Sequence, residues 1–232
     1  MFPPFSIEKS RFERKFVVSD MDYFNIEQQV RLHPAAFSNL FHPRFINNIY
    51  LDTTELDFYF DNVSGKGSRK KARIRWYGDL FGTIEKPVLE FKVREGMLGN
   101  KLSFPLKEFT LDSNFSLNAL KEVFAKSDLP QWAYEVLMLL KPALLNRYKR
   151  KYHLNFDGDF RLTLDTDLSY YLIGNDNNTF MQSHKGEDVI VELKYDFVKD
   201  KKAIEITNKL PFRLTKSSKY VNGIDFLHPM LT

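Results

Sequence analysis

Charged and apolar residues alternate in five short stretches of the chain. They are Arg11-Phe12-Glu13-Arg14-Lys15, Lys71-Ala72-Arg73-Ile74-Arg75, Glu90-Phe91-Lys92-Val93-Arg94, Arg161-Leu162-Thr163-Leu164-Asp165 and Glu192-Leu193-Lys194. Residues two apart on a β-strand point to the same face, so each stretch predicts a strand with one charged row and one largely apolar row. One such strand is an ordinary half-buried edge. Five predict a closed sheet whose charged rows face a common interior, and the excess of Lys and Arg makes the ligand of that interior an anion.

The same reading predicts strands over Ser10–Val18, Asn47–Asp52, Leu56–Phe60, Lys70–Tyr77, Val88–Arg94, Leu145–Phe156, Phe160–Asp165, Val189–Tyr195 and Phe212–Thr215. Residues 70–77 and 88–94 are expected to pair across the connection between them, and Asn62–Ser68 reads as a turn. A polar helix is expected from Asp22, its N-cap, to Leu32. Apolar residues at three- and four-residue spacing predict two further helices over Ser116–Ala125 and Gln131–Leu140, bounded by Pro130 and Pro142. Strands interrupted by a helical insertion make the class α+β. With no linker, repeat or composition break, one domain is expected over residues 1–232.

Composition narrows the chemistry. The 232 residues include 22 Phe and 11 Tyr, both strand formers, and no cysteine. Disulfides, thiol catalysis and Cys-ligated zinc are thereby excluded. A net charge of +4 is too mild for a nucleic-acid coat. Arg147-Tyr148-Lys149-Arg150-Lys151-Tyr152 interleaves bases with aromatics without any RNA- or DNA-binding motif, so no nucleic-acid partner is expected. The first residues lack the features of a signal peptide, and no uncharged apolar run approaches the ~18 residues of a membrane span. The expected location is the cytoplasm.

The densest basic run is Arg69 to Arg75. Within it Lys71, Arg73 and Arg75 share a face, and arginine's planar fork suits bidentate phosphate binding. Glu13, Glu90 and Glu192 each have a lysine two residues on, namely Lys15, Lys92 and Lys194. Cross-strand ion pairs are one reading. In the other, the carboxylates hold a divalent cation while the lysines hold phosphate oxygens of the same ligand. Gly65-Lys66-Gly67-Ser68 fails the P-loop pattern, since Phe60 and Gly67 stand where Gly and Ser/Thr are required. The five His residues show no metal-site spacing, and Lys216-Ser217-Ser218-Lys219-Tyr220 has the composition of a turn.

Taken in order, these segments resemble a known family. The N-terminal Arg11–Phe16 strand, Lys71–Arg75, Leu89–Lys92, Tyr148–Arg150, Arg161–Leu168, Val191–Lys194 and Lys216–Tyr220 are similar to the VTC domain. That is the polyphosphate-polymerase domain of the vacuolar transporter chaperone, in the triphosphate tunnel metalloenzyme superfamily, and the resemblance runs from about residue 8 to 226. It implies an antiparallel eight-stranded β-barrel tunnel with a helical insertion and peripheral helices. It also implies Mn²⁺ or Mg²⁺, and ATP with polyphosphate or triphosphate as ligands. By motif, Lys15, Arg73, Arg75, Lys92, Arg150, Arg161, Lys216 and Lys219 would hold phosphates, joined by Lys71 and Lys194. Ser218 would donate a hydrogen bond beside them. Glu192 would bind the metal, with Glu13 and Glu90 as further candidates. Arg11 stands where the superfamily signature has its first glutamate, as is usual in the VTC branch, which disfavours a two-metal triphosphatase or cyclase and favours a polymer-binding tunnel. The implied reaction is transfer of the ATP γ-phosphate to a growing polyphosphate chain. A tunnel triphosphatase and a non-catalytic polyphosphate- or inositol-phosphate-binding module are the alternatives. A membrane subunit would have to be a separate chain.

Overall fold

A computed structural model describes residues 11–95 and 98–231. Ser10, the expected start of the first strand, and the N-terminal residues 1–9 lie outside them. In chain order the elements are β1 (Arg11–Val18), α1 (Tyr23–Arg31), β2 (Ser38–Asp52), α2 (Asp57–Val63), β3 (Ser68–Tyr77), β4 (Gly82–Ile84), β5 (Val88–Glu95) and β6 (Leu98–Pro105). They continue with β7 (Phe109–Leu111), α3 (Leu117–Lys126), α4 (Gln131–Met138), β8 (Lys141–Leu154), β9 (Arg161–Tyr171), β10 (Ser183–Gly186), β11 (Val189–Asp196), α5 (Asp200–Thr207) and α6 (Lys219–Leu227).

The architecture is α+β. Eight strands form one antiparallel path, β1-β11-β9-β8-β2-β3-β5-β6, with β10 added beside β9 and β4 paired to β7 in a separate ribbon. The path curls, so that Cα atoms of the edge strands β1 and β6 come within 8 Å. No ladder joins these two edges among the described residues.

Two helical layers cover the outer face. Ile26 and Val30 of α1, with Ala203 and Ile206 of α5, pack on Phe16, Leu162, Leu164, Val191 and Leu193. Leu120 and Phe124 of α3 and Leu137 of α4 pack on Ala72, Ile74, Leu89 and Phe91. These are the apolar rows of the alternating strands. Each fully buried Leu, Ile or Phe contributes roughly 1.5–3 kcal/mol. The expected cap of α1 is present, with Asp22 Oδ1 accepting from Asn25 N at 3.0 Å, and Ser116 caps α3 by accepting from Ala119 N at 3.2 Å. β3 and β5 pair as expected, with Arg73 opposite Glu90 and Lys71 opposite Lys92.

Several expectations are corrected. Leu56–Phe60 is not a strand but the start of α2. The buried Asp52 carboxylate accepts from the backbone N–H groups of Thr53, Phe58 and Tyr59 at 2.8–2.9 Å, which organises a helical turn despite strand-like aromatic content. Phe212–Thr215 makes only one bridge, Leu214 to Phe16. β2 begins at Ser38 rather than Asn47, its first half hidden by Pro43 and by register shifts near Phe41 and Arg44. β8 begins one residue before Pro142, a position where a strand tolerates proline. Lys216–Tyr220 is not simply a turn, because it leads into α6.

α6 packs on the inner face of the curl. Its Tyr220, Ile224 and Leu227 contact Ile46, Tyr50, Leu144, Leu168, Tyr170 and Ile190. A Cβ on Gly223 would stand 2.6 Å from Tyr170 Cδ1 and would also collide with Leu144, so only glycine permits this approach.

Candidate functional site

Pairing register fixes which side chains share the inner face. Lys15 lies opposite Glu192 and Glu13 opposite Lys194 across β1–β11. Glu192 is opposite Thr163, and Arg161 opposite Lys194, across β11–β9. Arg150 is opposite Asp165 across β8–β9. Arg73 is opposite Tyr50, and Arg75 opposite Asn48, across β2–β3. The charged rows therefore converge inside one hollow, and α6 directs its N-terminal residues Ser218 and Lys219 into it.

Two carboxylates and two ammonium groups form a square. Lys15 Nζ lies 2.8 Å from Glu13 and 3.6 Å from Glu192, while Lys194 Nζ lies 3.0 Å from Glu192 and 3.5 Å from Glu13. Glu192 is also reached by Arg150 at 3.1 Å and Lys219 at 3.6 Å. Behind it, Arg150 holds Asp165 with both arms of its fork, and Lys219 Nζ lies 2.6 Å from the same carboxylate. A second cluster centres on Glu90, which accepts from Arg73 and Lys101 and lies 3.6 Å from Arg75. Arg75 also donates to Asn48 Oδ1 at 3.0 Å.

The N-terminus of α6 closes the floor. Ser218 Oγ accepts from Val221 N and from Lys71 Nζ, the latter at 2.7 Å, and Lys15 donates to Ser217 O at 3.1 Å. Helix N-termini present free N–H groups and a positive dipole end, which favours an anion.

Electrostatics sort these groups into two kinds. Burial and the neighbouring Glu192 push the Glu13 carboxyl up, but Lys15, Lys194 and Lys92 prevail and hold it well below the usual range. Burial likewise opposes ionisation of Glu192, yet Lys194, Lys219, Arg150 and Lys15 keep it ionised. Burial would lower Lys15, and Glu13 and Glu192 raise it instead. These are compensated ions. Lys71 is not: burial, then Lys15, Lys92, Arg73 and Arg69, drive its pKa well down. Lys92 keeps contact with solvent but stands opposite Lys71 and Lys101, so that protein replaces part of its hydration. Lost solvation lowers it first, Glu13 opposes this, and Arg73, Lys194 and Lys15 add to it, so the ammonium falls to about 7. Cations crowded beyond what the carboxylates can balance mark a site for a polyanion.

The structure thus brings together Lys15, Lys71, Arg73, Arg75, Lys92, Arg150, Lys194, Ser218 and Lys219. Arg161 joins the same face half-buried, at the far end of the β9 row. Lys216 is exposed on the segment before α6. The three candidate metal carboxylates are not gathered at one point: Glu13 and Glu192 share the lysine square, whereas Glu90 serves Arg73 and Lys101 in the other cluster. No group of three metal-ligating side chains occurs among the described residues. The donor set of Glu13 and Glu192 still fits Mg²⁺ or Mn²⁺, which are usually held by one or two carboxylates plus substrate phosphates.

Sequence reasoning missed Asp165 as the counter-ion that fixes Arg150. It also missed Lys101 on β6, and Tyr148, whose ring lies 4.7 Å below Lys219 Nζ and 5.2 Å from the Arg150 guanidinium. The alternation of Asp165 with Thr163 and Arg161 was the available signal for the first.

The family model for the VTC domain matches residues 10–228. The chain belongs to the VTC domain family. The motif resemblance is established at that level. Among solved structures, a candidate adenylate cyclase from Vibrio parahaemolyticus is similar, with 12% identity, a TM-score of 0.50, and 90% of this VTC chain and 94% of that one covered. Another candidate adenylate cyclase, from Bacillus halodurans, gives 15% identity, a TM-score of 0.50, and 89% and 92% coverage. A candidate adenylyl cyclase from Hippeastrum with a dominant triphosphatase activity gives 14% identity, a TM-score of 0.50, and 91% and 95% coverage. At these identities the likeness is one of fold. No curated protein matches the VTC chain in sequence. No helix among its described residues is long and apolar enough to cross a membrane.

Proposed function

We propose that this VTC-family protein is a metal-dependent polyphosphate polymerase. The terminal oxygen of a polyphosphate chain attacks the γ-phosphorus of ATP, the bond from that phosphorus to the β–γ bridging oxygen breaks, and ADP leaves with the electron pair. The supporting observation is the square of Glu13, Lys15, Glu192 and Lys194 in a hollow where cations outnumber carboxylates. In this reading the eight-strand path closes as a barrel, which the approach of β1 and β6 supports, and the hollow is its tunnel.

Positioning and charge neutralisation supply most of the acceleration in phosphoryl transfer. Arg73 and Arg75 clamp phosphate oxygens from one wall, and Lys15, Lys194 and Lys219 from the other. Arg150, fixed by Asp165, holds Glu192 in place. Glu192 and Glu13 would hold Mn²⁺ or Mg²⁺, which would supply further neutralisation of phosphate charge. Lys15 and Lys194 would then turn from the carboxylates to the phosphates.

Hydrolysis of inorganic or nucleoside triphosphate is the second reading. The packing of α6 into the hollow favours it, since a short triphosphate needs only the space beside Lys219, whereas a growing chain needs a way through. Incubation of the purified protein with ATP and Mn²⁺, with products resolved on a gel stained for polyphosphate, separates the two. A ladder that is lost in Glu192→Ala supports the polymerase; orthophosphate without a ladder moves the assignment to hydrolysis. Tight binding without turnover would leave a polyphosphate- or inositol-phosphate-binding module.

A further inference from the structure

Next to the phosphate cluster, the inner face changes from ionic to aromatic. Arg44 lies opposite Arg150 across β2–β8, one register pair from the residue that holds Glu192. No carboxylate pairs with Arg44 among the described residues. Its guanidinium lies 4.4 Å from the Tyr77 ring centroid, 5.0 Å from Tyr152 and 5.6 Å from Phe41. Tyr152 is buried and meets Phe41 edge-on at 5.6 Å, whereas Phe41 and Tyr77 are 52% and 49% exposed. Arg44 itself is exposed. A planar cation and two half-open rings are thus held beside the cluster of basic side chains on the inner face.

We propose that Phe41, Arg44 and Tyr77 form a nucleobase platform, on which the base of a nucleoside triphosphate stacks while its phosphates enter the cluster at Lys15 and Glu192. This deepens the proposed function and rests on it. Three observations point to a base rather than to simple packing. The rings are open on one side, Arg44 has a 3.4 Å hydrogen bond to the Tyr152 hydroxyl but no carboxylate partner among the described residues, and the platform adjoins the phosphate cluster through Arg150 and Tyr152. Aromatic and guanidinium planes bind any base by its π-face, so ATP and GTP are held alike and inorganic tripolyphosphate gains nothing from the platform.

The test is calorimetric titration of ATP and of inorganic tripolyphosphate, each with Mn²⁺, into wild-type protein and the Tyr77→Ala, Phe41→Ala and Tyr77→Phe variants. Both alanine changes are at exposed rings, and thermal melting checks the fold. Tyr77→Ala and Phe41→Ala are expected to weaken ATP by roughly tenfold each, the scale of one lost base-stacking contact, with tripolyphosphate unchanged and Tyr77→Phe close to wild type. Equal weakening of both ligands, or of neither, overturns the platform while leaving the triphosphate site standing. Failure of wild type to bind either ligand overturns the triphosphate reading, and the platform with it.

Discussion

Arg150 and Asp165 are joined by two parallel hydrogen bonds of 2.5 Å, each made within the buried part of the inner face. Asp165 is fully buried and Arg150 nearly so. Removing one partner of such a pair strands a charge away from water, which costs about 3–5 kcal/mol. Asp165→Ala is expected to lower unfolding stability by that order in a urea titration. It should also reduce activity, because the freed guanidinium no longer fixes Glu192. Wild-type stability in this variant would show that Arg150 finds its compensation elsewhere.

Glu192 and the Arg75 clamp serve different parts of the site, and binding separates them from turnover. Glu192→Ala or Arg75→Ala should each lose roughly 10²–10³-fold activity, the scale of one lost electrostatic donor in a preorganised site. Metal-free tripolyphosphate, however, should bind Glu192→Gln more tightly than wild type, since four cations lose a competing carboxylate. The same ligand should bind Arg75→Ala more weakly. An active Glu192→Ala enzyme would remove Glu192 from the site.

The crowded lysines give the site a pH signature. Lys92 titrates at about 7 in the free protein, and a bound polyanion raises it by supplying the missing negative charge. Binding therefore takes up a proton, and affinity falls as pH rises above about 7, by at most ~10-fold per unit for one proton. The difference in tripolyphosphate affinity between wild type and Lys92→Met should grow as pH falls through this range. Stability of the empty protein follows the opposite course. From about 7 up to the ordinary lysine value the unfolded chain binds the extra proton, so Lys92 destabilises the fold less as pH rises. A flat difference between the two proteins over pH 6–9 (roughly the window of that shift) would refute the crowding of Lys92.

Gly223 sets the depth of α6. Gly223→Ala places a methyl against Tyr170 and Leu144, and overpacking of this kind costs typically about 1–3 kcal/mol. The helix can relieve it only by moving off the sheet, which draws Lys219 from Asp165. Lower thermal stability together with weaker tripolyphosphate binding is the expected pair of results. A loss of stability with binding intact would mean that Leu144 and Tyr170 yield instead of the helix.

The charged rows were legible because strand periodicity is two and the residues in each row carry formal charge. Lys71, Arg73 and Arg75 declare a face that no helix would share. The helix α6 was not legible. Its Gly223 reads as a helix breaker, and the reason for it lies in Leu144 and Tyr170, far away in sequence. Leu56–Phe60 looked like a strand because Phe58, Tyr59 and Phe60 favour one. The buried Asp52 carboxylate, accepting three backbone N–H bonds, outweighs that preference. Asp165 was visible as a strand residue but not as a counter-ion, since alternation specifies a face and says nothing of who stands opposite. The aromatic rim around Arg44 was hidden by the irregular first half of β2.

Among the described residues β1 pairs with one strand, β11, beside a single bridge to Leu214, and Glu13 meets Lys194 across the β1–β11 ladder. During synthesis the first strand therefore emerges long before its partner exists, with an apolar row of Phe12, Phe16 and Val18 on one side and charges on the other. Pairing at such separation is slow, because loop closure precedes any gain from contact. The lysine square consequently cannot form before β11 has been made. Until β11 and α6 have emerged, Asp165 and Arg150 wait on an incomplete wall, without Lys219 and Glu192 to complete their ion pairs.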